Sequence, residues 1–252
     1  MTIEIKIGTI VILENELRLT LIRADQVPAP ETFLSAGELA KLASLKMEKR
    51  KRDWLGGRYA AKTLLKESLA LKIQLSAIEI SYDPFGRPVW TDRLISITHS
   101  GPFCAAACGA SGTKFLGIDL EKTEPRATAW YEDYFHKSEL AGQLGGEVAG
   151  RRGSRNAEPL SFPAVQPPSC PAVKLPCALA TRLWTQKEAL LKALGLGLKA
   201  DLLDINLSGS KPEFSRLALA RYNELANPPF TLNTLTPEPA YYLSTACETI
   251  KV

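Results

Sequence analysis

The sequence predicts a mixed α/β protein of two similar lobes joined near residue 110. Three observations carry this. Each half of the 252 residues holds several short runs rich in Ile, Val, Leu and Thr, the composition of strands. Each half also holds one long stretch with apolar residues at helical spacing, about Arg50 to Leu71 in the first and Trp184 to Leu196 in the second. Between them Ala110 to Thr113 is a turn of small residues. The expected units are therefore residues 1–110 and 111–252, with no clear sequence repeat relating them.

In chain order, residues 3–13 and 16–22 read as a strand hairpin about Glu14-Asn15. A linker with Pro28 and Pro30 leads to Ser35, an N-cap with Glu38 three residues on, so a capping box should open a helix near Gly37. The basic cluster Lys46, Lys49, Arg50, Lys51 and Arg52 precedes the long helix, and is either a solvated face or a phosphate-binding edge. Ile78–Tyr82, Leu94–Ser100, Phe103–Gly109 and Phe115–Glu121 read as strands, with turn chemistry at Asp83 to Pro88 and Gly86 suited to positive φ. Trp130–Leu140 is amphipathic and expected to be helical. Residues 141–180 hold five Gly, six Pro and almost no periodicity, the composition of a flexible insertion, and Cys170 and Cys177 are given no structural role inside it. Order should resume at Leu183, with further strands at 205–207, 230–235 and 241–246.

Composition narrows the function classes. A charged fraction of 23% and a net charge of +4 permit anionic ligands without arguing for nucleic acid. The basic cluster lacks the aromatic interleaving of a nucleic-acid surface. The N-terminus carries acids within its apolar stretch, unlike a signal peptide, and no apolar run approaches the ~18 residues of a membrane span. Five cysteines form no framework, and Cys104-x3-Cys108 with His99 and His136 as the two histidines argues against zinc. A cytoplasmic, monomeric protein that engages neither membrane nor nucleic acid is expected.

Two short stretches carry the chemistry. In FLGIDLE, residues 115–121, strand alternation puts Asp119 and Glu121 on one face and Leu120 on the other. Two like charges roughly 7 Å apart repel unless a cation sits between them, and hard divalent cations take such oxygens together with a substrate's phosphates. In WTQKEALLK, residues 184–192, Glu188 and Lys192 lie four apart and share a helix face. A third carboxylate would complete a metal site, and a lysine one turn away could neutralise a leaving phosphate.

The combination of Gly86-Arg87-Pro88, SITHSG at 96–101, GIDLEKT at 117–123 and WTQKEALLKALGLGL at 184–198 closely resembles the 4′-phosphopantetheinyl transferases. It is similar to the long, single-chain type that activates peptide synthetases, and the resemblance runs from about Ser35 to Leu207 apart from the insertion. The resemblance implies two similar α/β lobes in pseudo-twofold arrangement, each a small, mostly antiparallel sheet packed with a long helix. It implies transfer of the phosphopantetheine arm of coenzyme A to a serine of an apo acyl or peptidyl carrier protein, with release of 3′,5′-ADP. Asp119, Glu121 and Glu188 fall on the ligands of Mg²⁺ (or Mn²⁺), Glu188 also on the proposed base, and Lys192 on the lysine that meets the departing nucleotide. Arg87, Thr98 and His99 fall on contacts to the nucleotide and its 3′-phosphate, and Lys41 and Lys49 on further phosphate-binding positions. Another family lysine falls on Glu38, so the 3′-phosphate must be gripped differently here. A coenzyme A-binding module without turnover, impaired in carrier docking by the insertion at 141–180, is the competing reading.

Overall fold

A computed structural model describes residues 6–140 and 177–249. Its first unit begins with strands β1 (Ile10–Ile12) and β2 (Arg18–Arg23), paired antiparallel about a short 3-10 turn. Helix α1 (Ala36–Ser44) opens on the expected capping box, the Ser35 hydroxyl accepting from Glu38 N and the Glu38 carboxylate from Ser35 N. Helix α2 (Glu48–Ser68) follows, so the basic cluster lies mostly on its first turn. Strands β3 (Ser81–Tyr82), β4 (Pro88–Trp90), β5 (Arg93–Ser100) and β6 (Phe103–Cys108) complete an antiparallel sheet in the order β1-β2-β6-β5-β4-β3. Gly86 holds the β3–β4 turn at a φ of 84°.

The second unit starts at β7 (Leu116–Lys122) and continues through α3 (Thr128–Tyr134), α4 (Cys177–Leu194), the small hairpin β8 (Ile205–Asn206) and β9 (Glu213–Phe214), and α5 (Arg216–Glu224). Strands β10 (Phe230–Leu235) and β11 (Tyr241–Glu248) join β7 in a sheet of order β10-β11-β7.

Alternation builds four layers from these parts. Phe103, Ala105 and Ala107 of β6 face Leu116, Ile118 and Leu120 of β7 and Leu243 of β11 in a core between the two sheets. Cys104, Ala106 and Cys108 point the other way, into a core roofed by Ala60, Ala61, Leu64 and Leu65 of α2. On the far side Leu190 and Leu194 of α4 pack with Ala246 of β11. Among the described residues no helix is long and apolar enough to cross a membrane.

The two units share one topology. Each runs strand, helix, strand, strand, and in each the first strand pairs with the last: β2-β6-β5 in one, β7-β11-β10 in the other. A side-chain motif repeats with them. Lys62 of α2 is fully buried, pairs with Glu38 and donates to Phe33 O at 2.7 Å. Lys187 of α4 is fully buried, pairs with Glu139 at 2.7 Å and donates to Tyr134 O at 3.0 Å. The spacing 33, 35, 38 recurs as 134, 136, 139, with Ser35 N donating to Glu38 and His136 N to Glu139. The ring three residues before each lysine meets the same partner edge-on, Tyr59 against Phe33 and Trp184 against Tyr134. FLSAGEL and YFHKSEL are thus one element used twice, a repeat too degenerate to see without the contacts.

Several expectations need correction. The 130–140 helix is broken at Phe135-His136, because Glu139 is drawn inward by Lys187 and begins a new turn at 137–140. Of the supposed insertion, residues 141–176 and with them Cys170 lie outside the described residues, but residues 177–180 belong to α4. Cys177 is buried there, its carbonyl accepting from Thr181 Oγ1. The strand expected at 78–82 is strand at its last two residues, since Leu75–Ala77 forms a 3-10 turn that carries Ile78 into the core. Strand β9 and helix α5 were not anticipated.

Candidate active site

One glycine brings the two chemical stretches together. Gly117 sits on β7 where α4 crosses, and a Cβ there would land on the backbone oxygen of Ala189. Without a side chain the helix lies directly on the strand, so Glu188 and Lys192 are delivered to the face that carries Asp119 and Glu121. Hydroxyls pin the helix at this height: Thr185 bonds Ser244 of β11 at 2.7 Å, and Ser244 is the register partner of Asp119.

The resulting cluster is unevenly satisfied. Asp119 is buried, and its Oδ1 accepts from Lys192 Nζ at 2.6 Å and from Thr98 Oγ1 at 3.0 Å. Its Oδ2 is buried with no partner. Burial, reinforced by the Asp119 charge, pushes the Glu121 carboxyl up to about 7. Glu188 is raised by the same two causes in the same order, with Lys192 opposing them. Two carboxyls raised by burial and by a neighbouring charge, beside an Asp119 oxygen left without a partner, are a donor set that a cation would relieve. Among the described residues no group of three or more His, Cys, Asp or Glu is placed to hold a metal ion by itself.

Opposite this cluster the first unit presents cations. A cavity of about 410 Å³ is lined by Lys49, Arg50, Arg58 and His99, with Trp54, Ile97 and Pro88 among its apolar residues. It shares Arg50, Pro88 and Ile97 with a second, of about 700 Å³, that reaches Lys192, Gly195 and Lys199 across the lobe boundary. Arg58 is 3% exposed, lies over the rings of Trp54 and Tyr82, bonds the Tyr82 hydroxyl and has its Nε 3.9 Å from Glu38 Oε1, while its Nη1 has no hydrogen-bond partner. Burial lowers the His99 imidazole from its ordinary range, opposed by Asp53, whose carboxylate lies 3.7 Å away.

The structure thus gathers Asp119, Glu121, Glu188 and Lys192 where α4 crosses β7, Lys192 alone of the four lining either cavity, and it places Lys49 and His99 on the first cavity. Thr98 lies between them, its hydroxyl given to β7. Arg87 lines the second cavity but its Nε is held by Asp83, and its Nη1 donates to Lys114 O and Ala193 O, tying the 83–88 turn to the end of α4. Lys41 is exposed on the last turn of α1 and is not among the residues lining either cavity. Glu38, the departure from the family pattern, is the buried partner of Lys62. Sequence reasoning missed Arg58. An arginine after two small-residue positions inside an amphipathic helix was a usable signal, since charge on a buried face needs a partner or a ligand.

A family model described as the 4′-phosphopantetheinyl transferase superfamily matches residues 115–229, and one described as the 4′-phosphopantetheinyl transferase N-terminal domain matches residues 38–109. No curated protein matches. Among solved structures the chain is similar to holo-[acyl-carrier-protein] synthase of Thermotoga maritima, at 18% identity over 51% of this chain and 76% of that one, with a TM-score of 0.33.

Proposed function

The chain belongs to the 4′-phosphopantetheinyl transferase superfamily, and from that premise we propose the residues and steps by which it moves the arm of coenzyme A onto a carrier-protein serine. The observation that carries the assignment is the placing of two groups on either side of the lobe boundary: carboxyls raised by burial beside an Asp119 oxygen without a partner on β7 and α4, and the exposed Lys49 and Arg50 with a free nitrogen of Arg58 on α2. A substrate with a pyrophosphate and a second phosphate group suits such a cleft.

The serine Oγ attacks the phosphorus that bears the pantetheine arm, and the bond from that phosphorus to the bridging oxygen of the pyrophosphate breaks. The product is a phosphodiester, and 3′,5′-ADP leaves. Such a displacement needs in-line placement and charge neutralisation more than covalent help. Glu188 takes the serine proton, a task its raised affinity for protons serves. Lys192 meets charge on the departing phosphate. Lys49, Arg50, Arg58 and His99 hold the nucleotide's 3′-phosphate, Arg58 offering the free Nη1 of a guanidinium already fixed between two rings. Asp119, Glu121 and Glu188 would hold a Mg²⁺ or Mn²⁺ ion, which when bound neutralises charge on the pyrophosphate.

The test is to incubate the protein with coenzyme A, Mg²⁺ and an apo carrier, and to weigh the carrier. A gain of one phosphopantetheine, lost in chelator and lost in Asp119→Ala, is expected. Coenzyme A binding without any mass gain would leave a binding module instead.

A further inference from the structure

Strand β7 lies at the edge of its sheet, yet its outward amides are not left to solvent. Ile118 N donates to Ser96 Oγ at 2.9 Å, Leu120 N to Thr98 Oγ1 at 3.1 Å, and Lys122 N to Ser100 Oγ at 3.2 Å. All three hydroxyls stand on one face of β5, at the alternate positions that strand geometry requires. They form a ladder by which the first lobe closes the open edge of the second, where an apolar face would have left two buried donors, Ile118 N and Leu120 N, unmet.

The ladder does more at two of its three rungs. Having accepted from β7, Thr98 Oγ1 donates to Asp119 Oδ1 at 3.0 Å, and Ser100 Oγ donates to Glu121 Oε2 at 3.3 Å. Each hydroxyl is oriented by an amide and in turn holds one named oxygen of a carboxylate. At Asp119 both Thr98 and Lys192 take Oδ1, and Oδ2 is the atom left buried and unpartnered. Ser96 is buried in the same ladder and donates to no carboxylate of the cluster.

We propose that Thr98 and Ser100 are positioning residues, contributed by the N-terminal lobe, that set the orientation of Asp119 and Glu121 and so complete the cation site of the C-terminal lobe. The inference rests on the cation reading above. Partners of this kind, which touch a ligand's other oxygen, typically change metal affinity by ~10–100-fold when removed.

The experiment uses the full chain and Mn²⁺ as probe, its free fraction read by electron paramagnetic resonance. Thr98→Val, Thr98→Ser, Ser100→Ala, Ser96→Ala and Asp119→Asn are compared with the unchanged protein, and coenzyme A affinity is measured in chelator. Thr98→Val should weaken Mn²⁺ binding by ~10–100-fold, and Thr98→Ser should restore it to within about threefold. Ser100→Ala should weaken it less, its bond being longer. Ser96→Ala is the control for a merely structural role: it removes an equivalent rung and lowers the unfolding temperature, but leaves Mn²⁺ affinity alone. If Mn²⁺ binds the unchanged protein, fails to bind Asp119→Asn, and binds Thr98→Val as before, the cation reading stands and this proposal falls. A loss of coenzyme A affinity in chelator with intact Mn²⁺ binding would make Thr98 a nucleotide contact and overturn the proposal. No uptake by the unchanged protein removes both readings.

Discussion

In the N-terminal lobe α2 approaches its sheet through side chains, whereas in the C-terminal lobe α4 approaches through backbone. A Cβ on Gly56 would meet Cys104 Sγ, and one on Gly57 would meet Ile97 Cγ2 at 2.6 Å. A Cβ on Gly117 would meet Ala189 O and Ala193 N. The topology and the buried lysine–glutamate element are otherwise shared. Counting from that lysine, the residue that follows is Thr63 in one lobe and Glu188 in the other, and Glu67 stands where the other lobe has Lys192. Strand β2 carries no acid, whereas β7 carries two. The common unit therefore supplies a scaffold, and the chemistry is laid on one copy of it, where a tighter helix–strand approach holds the reacting groups together.

Breaking that approach should have the largest effect. Gly117→Ala forces α4 off β7, since neither contacting atom can rotate away. The loss should exceed the ~4–5 kcal/mol of the severest ordinary substitutions, leaving no cooperative thermal transition. Gly56→Ala should cost ~1–3 kcal/mol, the range of overpacking. Adding Cys104→Ala, which removes the obstructing sulfur, should recover more than half. If both glycine variants behave alike, the distinction between the lobes is wrong.

The shared element gives the next largest effect. Removing one partner of a buried ion pair strands the other, at ~3–5 kcal/mol. Lys62→Met and Lys187→Met should both fall in that range in denaturant titration. Lys187→Met should be the worse, because Glu139 also accepts from Leu207 N at 2.8 Å and its disturbance reaches β8. A large loss in one lobe with none in the other would mean that the repeat is one of shape alone.

How much of this the sequence disclosed differs between the lobes for the same reason. The strands β5, β6, β7, β10 and β11 and both long helices follow from alternation and helical period, because burial on a defined face enforces the pattern. The Asp119-x-Glu121 and Glu188-x3-Lys192 spacings fix faces, so the second lobe's wall could be drawn in advance. The first lobe's wall could not. Lys41 and Arg58 are both cations on helices, and what separates them is which helix turns toward the cleft, a matter of tertiary packing. Helix α4 starts at Cys177, ahead of the expected Trp184, because Pro171, Pro176 and the glycines before them mask its first turns in the sequence. The ladder from β5 was invisible for another reason: Ser96, Thr98 and Ser100 read as a polar strand face, and strand-edge amides leave no mark in a sequence.

The walls can be separated by ligand as well as by mutation. If Lys49, Arg50, Arg58 and His99 grip the 3′-phosphate, dephospho-coenzyme A should bind ~10–100-fold more weakly, the equivalent of ~1.5–3 kcal/mol for a lost charge-assisted contact. Arg58→Met should abolish the preference while leaving Mn²⁺ binding intact. Equal binding of both compounds by the unchanged protein would detach these residues from the assignment.

The finest comparison replaces a glutamate by glutamine in each lobe. Glu38 has its charge met by Lys62 and Arg58, so Glu38→Gln should destabilise the protein. Glu121 is the opposite case. Its folded carboxyl is raised to about 7 from an ordinary 4.5, so between those values the native state holds more proton than the unfolded one. Stability then falls as pH rises through that window, and the penalty is fully present above pH 7. Because Glu121 is partly open to solvent, the penalty is discounted to an order of magnitude, about 1 kcal/mol. Glu121→Gln should therefore raise the unfolding temperature by a few degrees at pH 8 and change it little near pH 5. Mg²⁺ at pH 8 should raise the unfolding temperature of the unchanged protein and do less for the variant, since the charge it relieves is already gone. A Glu121→Gln protein less stable at pH 8 than the unchanged one would mean that this carboxylate already has its counter-charge within the fold, and that the C-terminal lobe, like the N-terminal one, is electrostatically complete without a cation.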